Sequence, residues 1–221
     1  MKSYRKFIRN ATVGILMKLD QAKKDHYRRI AKKEGYRSRA TFKLVQIDKK
    51  YNIFKNGYII VDFGCAPGGW LQYISKVIGE KGFALGIDLK RVKPIDSNVE
   101  TLIADVNDES IKDKIMSKLP KKANIVTSDL SPNVSGIWEL DVAKQIDLTS
   151  KVVEILPFIL KEGGHAIMKV FQGEPFDEFL KKIKKNFKDV IIIKPPASRP
   201  ESSEMYLLCR GFIFKSSKDT M

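Results

Sequence analysis

Cysteine is scarce in this chain of 221 residues, with only Cys65 and Cys209 present. Two cysteines cannot build a disulfide framework or a structural zinc site. Histidine is equally scarce. His26 and His165 lie far apart, so nothing has metal-ligand spacing and no resident metal is expected. No run of about 18 apolar residues occurs, so no membrane span is expected either. Acidic residues are few at the front of the chain: residues 1–50 hold 16 Lys or Arg against Asp20, Asp25, Glu34 and Asp48. Apolar residues are not lacking. At 43% of a chain this long they can form a full core, which excludes disorder as the dominant state. The expectation is a soluble, cytoplasmic protein acting as a monomer.

What is present in excess is positive charge. Lys and Arg number 41 against 26 acids, a formal +15, of which residues 1–50 carry +12 and the remaining 171 only +3. Such asymmetry describes a basic entry surface on a nearly balanced core. Its physical use is polyanion binding, since each neutralised phosphate releases counterions. A lysine-rich solubilising surface is the bland alternative. Residues 1–17 hold four basic residues, no acid and the apolar run Ala11–Met17. That run is at the short limit for a targeting segment and no small-residue cleavage site follows it, which favours an RNA-contacting or helix-packing arm.

The pattern beyond this divides into a basic extension at 1–52, a domain at 53–215 and a short tail at 216–221. Two helices are expected in the extension: Gln21–Glu34, stopped by Gly35, and a second capped by Ser38 and running to Tyr51. From Gly57 strands and helices alternate. The strands are Tyr58–Phe63, Phe83–Asp88, Glu100–Ala104, Asn124–Asp129, Gly164–Phe171, Val190–Lys194 and Met205–Phe214. The helices between them are Trp70–Ile78, Ser110–Leu119, Asp141–Leu160 and Phe176–Phe187. Alternation of this kind gives an α/β fold: one Rossmann-like domain whose mainly parallel seven-stranded sheet has helices on both faces. Ligands of such sheets sit beyond the carboxyl ends of the strands.

The first of these strands ends in Asp62-Phe63-Gly64-Cys65-Ala66-Pro67-Gly68-Gly69-Trp70. Glycines between strand and helix let a ligand approach the backbone. The dinucleotide pattern G-x-G-x-x-G fails at Ala66, and the phosphate-loop pattern fails because Trp70 stands where its lysine belongs. A nucleoside-type site without a phosphate cradle remains. Asp88, some twenty residues after Gly68, is placed for ribose hydroxyls, and Asp105 ends the third strand within reach of an adenine amino group.

The stretch DFGCAPGGW resembles the first motif of S-adenosylmethionine-dependent methyltransferases of the FtsJ/RrmJ type, the ribose 2′-O-methyltransferases of RNA. Four further stretches match in order and spacing: Gly35–Leu44 (GYRSRATFKL), Ser128–Gly136 (SDLSPNVSG), Ile167–Phe171 (IMKVF) and Lys194–Tyr206 (KPPASRPESSEMY). The resemblance as a whole runs from about residue 25 to residue 214. Ser131 departs from the alanine usual in bacterial members. The resemblance implies a catalytic set of Lys43, Asp129, Lys169 and Glu204. It implies S-adenosylmethionine as methyl donor, with contacts from Gly68, Trp70, Asp88, Asp105 and Asp129; the turn adds Gly64 and Gly69. It also implies an RNA substrate, and the SPNVSG loop resembles the enzymes acting on a uridine of large-subunit ribosomal RNA.

The residues point the same way. Lys169 lies inside an otherwise apolar strand, where an unpaired ammonium is costly, so it needs a carboxylate or must lose its proton. Asp129 and Glu204 are the available partners. Lys169 is expected to bind or deprotonate the ribose hydroxyl, held by Lys43 and Glu204 and oriented by Asp129; as a base it needs a depressed pKa. Methyl transfer from a sulfonium needs no Lewis acid. The RNA-facing surface is expected at Arg28, Arg29, Lys32, Lys33, Arg37 and Arg39. There Tyr27 and Tyr36 either stack bases or pack the helix. Trp138 either covers the substrate pocket or fills its loop. The lysines at 181, 182, 184, 185 and 188 read as a solvated face. Three other functions stand beside the first: a tRNA-modifying relative with the same catalytic set, a ribosome-assembly factor without turnover, and a nicotinamide dehydrogenase, which the missing glycine pattern disfavours.

Overall fold

The computed structural model of the chain describes residues 26–198 and 203–214. The arm at residues 1–17, the start of the expected first helix and the tail at 216–221 lie outside the described residues.

Helix α1 covers residues 26–33. It is followed by α2 (Thr41–Tyr51), β1 (Ile59–Phe63), α3 (Gly69–Ile78), β2 (Phe83–Asp88), β3 (Val99–Ile103) and α4 (Ile111–Lys118). Then come β4 (Ala123–Ser128), α5 (Trp138–Ile159), β5 (Leu160–Phe171), α6 (Phe176–Lys184), β6 (Phe187–Ile193) and β7 (Glu204–Phe212). The seven strands form one sheet in the order β3-β2-β1-β4-β5-β7-β6. The first five are parallel, whereas β7 runs antiparallel to both β5 and β6. Inserting β7 beside β5 sets Lys169 opposite Tyr206 and Phe171 opposite Glu204. The sheet is therefore mixed, and its one reversed strand carries a predicted site residue to the centre.

Both faces are covered, so β1 is buried throughout, Asp62 included along with its four apolar residues. Its side chains alternate. Ile59, Val61 and Phe63 join the core under α4, α5 and α6, while Ile60 joins Leu44, Ile47, Trp70, Leu71 and Ile74 on the other side. Leu44 and Ile47 on α2 are 0% and 1% exposed, so this helix is a covering layer of the sheet. Asp48 secures its end. One oxygen accepts the Ile53 and Phe54 amides at 2.8 and 3.1 Å, and the other accepts the Tyr73 hydroxyl at 2.6 Å.

Some boundaries differ from the sequence reading. Ser38 does not cap α2 directly: its hydroxyl accepts the Ala40 amide at 3.1 Å in a turn before Thr41. Helix α6 ends at Lys184, and Phe187, which fits the helical spacing, belongs to β6, where its ring meets Phe212 at 5.3 Å. Helix α5 starts at Trp138 and passes into β5 at Leu160 without a loop. Because α2 completes the core, Leu44→Ala should lower the unfolding free energy by about 2–5 kcal/mol. Urea denaturation should show one transition; a separate early transition for the N-terminal helices would contradict this packing.

Candidate active site

The carboxyl ends of β1, β2 and β4 enclose a cavity of about 440 Å³, lined among others by Gly64, Ala66, Asp88, Leu89, Asp105, Val106, Asp129 and Leu130. That volume suits a small organic molecule. Gly64 has φ +76°, and a Cβ there would lie 2.9 Å from the Leu130 amide nitrogen, so only glycine lets β1 and the β4 loop close together. The Asp88 carboxylate is fixed by the Ala66 and Lys90 amides, each at 2.9 Å on a different oxygen. Each oxygen keeps a lone pair, the arrangement that accepts two vicinal hydroxyls. One oxygen of Asp105 accepts the Asn107 amide and side chain at 2.9 Å, leaving its other oxygen as acceptor. Carboxylates at two strand ends with apolar Leu89, Val106 and Leu130 between them fit an adenosine with its ribose and ring nitrogens.

Asp129 belongs to this wall and to a second group beside it. Its side chain lies 3.1 Å from the Lys169 ammonium, and its backbone oxygen accepts the same Nζ at 2.9 Å. The Tyr206 hydroxyl donates to Asp129 Oδ1 at 2.8 Å. Lys43 donates to that hydroxyl at 3.4 Å and pairs with Glu204 at 2.6 Å. Ser198 donates to Glu204 at 3.1 Å. The four residues of the expected catalytic set are thus brought together, in a line from Glu204 through Lys43, Tyr206 and Asp129 to Lys169. Tyr206 at the centre was missed by sequence reasoning. A signal existed: it stands two residues after Glu204 and so shares a face of β7 with it. Burial pushes its hydroxyl pKa well above the ordinary value, and the Asp129 and Glu204 carboxylates push the same way, so it remains a donor.

Lys169, 5% exposed, is placed by its own carbonyl. Strand β4 ends at Ser128, opposite Met168, so that carbonyl has lost its parallel neighbour. Gln145 and Thr149 of α5 donate to it, each at 3.1 Å. These two also escaped the sequence reading. Their mark is polarity at i and i+4 within the buried stripe of a helix. Asp62 lies beneath the same strand ends, 1% exposed, with one oxygen accepting the Thr127 hydroxyl at 2.7 Å and the other without a partner. Burial, aided by Asp129 and Asp88 and opposed by Thr127, raises its pKa to about 8.

Several expected positions lie elsewhere. Trp70, expected at the cofactor, is 4% exposed, donates its indole N–H to the Ala40 carbonyl at 3.0 Å and packs on Tyr206. Gly68 and Gly69 do not line the cavity. A Cβ on Gly69 would meet Thr41 Oγ1 at 2.5 Å, and one on Gly68 would meet Arg37 at 3.0 Å, so both admit the segment leading to Lys43. Arg37, expected on the RNA surface, spends its guanidinium on the carbonyls of Lys93, Pro94 and Pro67 at 2.7, 2.6 and 3.4 Å. Arg28, Arg29, Lys32 and Lys33 are exposed on α1, and Arg28, Lys32 and Arg39 border a hollow of about 430 Å³. Tyr27 and Tyr36 both pack on Phe42, at 5.5 and 5.9 Å between ring centroids, and remain partly exposed. Among the described residues no group of three or more His, Cys, Asp and Glu is placed to hold a metal ion, and no helix is long and apolar enough to cross a membrane.

Comparison with known proteins places this geometry among relatives. A family model described as FtsJ-like methyltransferase matches residues 36–212. A protein of Methanocaldococcus jannaschii named ribosomal RNA large subunit methyltransferase E is 45% identical over 199 residues, covering 88% of this chain and 81% of its own. One of the same name from Nitrosopumilus maritimus is 45% identical over 197 residues, covering 89% and 100%. Among solved structures, a Plasmodium falciparum protein described as a ribosomal RNA methyltransferase superposes with a TM-score of 0.73 at 30% identity, covering 81% of this chain and 100% of that one. Aeropyrum pernix fibrillarin, solved with natively bound S-adenosyl-L-methionine, shares the fold at a TM-score of 0.50 and 19% identity over 70% of this chain and 67% of its own.

The orphaned carboxyl of Asp62 gives a pH signature. A folded-state pKa raised to about 8 means that its contribution to stability is full below about pH 4 and is lost as pH rises through 8. Asp62→Asn removes that titration. Unfolding free energies measured from pH 4 to 9 should therefore favour the variant increasingly as pH rises; parallel curves would show that Asp62 is ionised throughout.

Proposed function

The chain belongs to the FtsJ-like methyltransferase family, and on that premise we propose that it methylates the 2′-hydroxyl of a ribose in RNA, with S-adenosylmethionine as donor and S-adenosylhomocysteine as product. The observation that carries this reading is Asp129, which lines the adenosine-sized cavity on one side and holds Lys169 on the other. The donor supplies a methyl group made electrophilic by its positive sulfur. The remaining work is done by the chain.

Asp88 and Asp105 hold the ribose and base of the donor, and the bare backbone at Gly64 lets it lie against the strand ends. Lys169 Nζ makes two bonds, to Asp129 O and Oδ1, and has one position left for the substrate hydroxyl. In its neutral form that position is a lone pair, which takes the hydroxyl proton as the oxygen attacks carbon; the resulting ammonium keeps the same two acceptors. Aligning the attacking oxygen with the methyl group supplies a large part of the rate. Tyr206 donates to the same Asp129 oxygen that pairs with Lys169, and the Lys43–Glu204 pair fixes Tyr206, so the group is rigid before substrate arrives. Lys43, 14% exposed on its side chain, adds a positive charge that steadies the developing oxyanion.

RNA is the substrate on the strength of the basic surface of α1, at Arg28, Arg29, Lys32 and Lys33, which approaches the site through the segment carrying Lys43. Relatives named for the large ribosomal subunit support ribosomal RNA as the target, and the likeness of the SPNVSG loop supports a uridine. The reading carries with it action in the cytoplasm as a monomer.

Labelled methyl transfer to large ribosomal subunits, free ribosomal RNA and tRNA tests this directly. Label is expected on ribosomal RNA or the subunit; label on tRNA alone would keep the chemistry and overturn the substrate. Lys169→Ala should lower turnover about 10²- to 10⁴-fold, and Lys169→Arg should be as poor, because a guanidinium cannot give up its proton. Full activity in the arginine variant would remove the base. A milder loss, about tenfold in kcat with donor affinity unchanged, is expected of Tyr206→Phe, which keeps the packing and removes one hydrogen-bond bridge.

A further inference from the structure

Residues 133–141, from the loop after β4 into the first turn of α5, form an apolar surface that the site described so far does not use. Val134, Ile137, Trp138 and Leu140 are 68%, 60%, 44% and 42% exposed. Large apolar side chains grouped on a surface mark a contact site. This group is also held in place. The Asp141 carboxylate, 4% exposed, accepts the Ser135 amide and hydroxyl at 2.7 and 2.8 Å and the Gly136 amide at 3.1 Å. The loop is therefore tied down to the residue preceding Ile137 and Trp138, and the indole is presented from the first turn of a long helix.

The Trp138 ring lies on the Phe171 ring, with centroids 6.0 Å apart and planes at 23°. Phe171 stands two residues after Lys169 at the end of β5, roughly 7 Å along the strand, and its ring packs on the core under α5. A stacked aromatic pair with one partly open ring thus stands at the end of the same strand that carries the lysine assigned to the ribose hydroxyl. From this juxtaposition we propose that Trp138 is the stacking platform for the base of the nucleotide being methylated. The proposal rests on the RNA-methylating reading above and extends it to how the target nucleotide is held.

The chemistry favours a nucleobase over an apolar protein segment. The base of a ribonucleotide is bonded to the carbon next to the one bearing the 2′-hydroxyl, so a hydroxyl at Lys169 brings its own base within one residue's reach. A base unstacked from its neighbours loses stacking energy that an exposed indole restores, and such stacking accepts any base. The surface lies at the end of the strand that carries Lys169, and the protein's formal charge of +15 attracts phosphates. Specificity for one base then has to come from other groups, while Trp138 supplies affinity and orientation.

The test uses the full chain, large-subunit ribosomal RNA and a single-stranded oligouridylate. Trp138→Ala should raise KM for ribosomal RNA about tenfold, with the donor's KM unchanged; Trp138→Phe should recover most of the loss. Trp70 is the only other tryptophan and is 4% exposed, so oligouridylate should quench the fluorescence of the natural protein and leave that of Trp138→Phe unchanged. An unaltered KM for RNA in the alanine variant, a phenylalanine variant as impaired as the alanine one, or no quenching would each overturn the proposal. Quenching by RNA-free large-subunit proteins but not by oligouridylate would also overturn it, assigning the surface to a protein partner. Absence of methyl transfer by the natural protein to any RNA would instead strike the functional reading, and the quenching experiment distinguishes the two failures.

Discussion

The carboxylate of Asp129 is the point on which the site depends. It takes hydrogen bonds from Lys169 and Tyr206 on one side while the residue walls the cavity on the other, and its amide donates to Phe63 of β1 at 3.0 Å. The Lys169 side chain is 6% exposed and that of Asp129 19%. At such burial an ammonium without a partner is strongly unfavourable, and removing one member of a buried pair costs about 3–5 kcal/mol. The pair is therefore a constraint on the whole centre of the sheet. Strand β4 must end where it does, β5 must reach past it, and the chain must turn away at Leu130.

A second constraint acts on the backbone. Lys43 is far from Asp129 in the chain and reaches it because α2 is packed into the core and the segment before it rests on the turn after β1. The glycines of that turn divide the labour. Gly64 allows β1 and the β4 loop to close, whereas Gly68 and Gly69 make room for Arg37, Ser38 and Thr41. Arg37 then ties this segment to the loop at Lys93 and Pro94. One short motif thus shapes the strand-end cavity and docks the segment carrying Lys43. This is why the N-terminal helices are part of the enzyme's architecture as well as its basic surface.

The reversed strand completes the arrangement. Antiparallel β7 enters between β5 and β6, and with a period of two it brings Glu204 and Tyr206 to the same face, opposite Phe171 and Lys169. A parallel strand in that place would need another crossover and would present the opposite end to the site. The tyrosine so placed joins two lysines that would otherwise repel each other: Lys43 donates to its hydroxyl, the hydroxyl donates to Asp129, and Asp129 accepts from Lys169. Alternating donor and acceptor lets both cations share one hydrogen-bonded group.

How much of this was legible follows from the range of each interaction. The α/β alternation, the buried β1 and the strand-end carboxylates Asp88 and Asp105 could be read from the chain, and the set Lys43, Asp129, Lys169 and Glu204 came from its resemblance to a known family. Local periodicity dictates the elements, and the polarity of a residue in an apolar run betrays its need for a partner. Boundaries such as Phe187 were misread because helical spacing and a cross-strand aromatic contact both favour an apolar residue there. The sequence by itself determined the fold class and the chemical groups of the site. Only the tertiary structure decided that Tyr206 links them, that Gln145 and Thr149 hold Lys169's carbonyl, and that the Trp70 indole and the Arg37 guanidinium donate to backbone carbonyls. Their types do not reveal this, because a hydroxyl, an indole or a guanidinium takes its role from the partner that a distant part of the chain brings within hydrogen-bond distance.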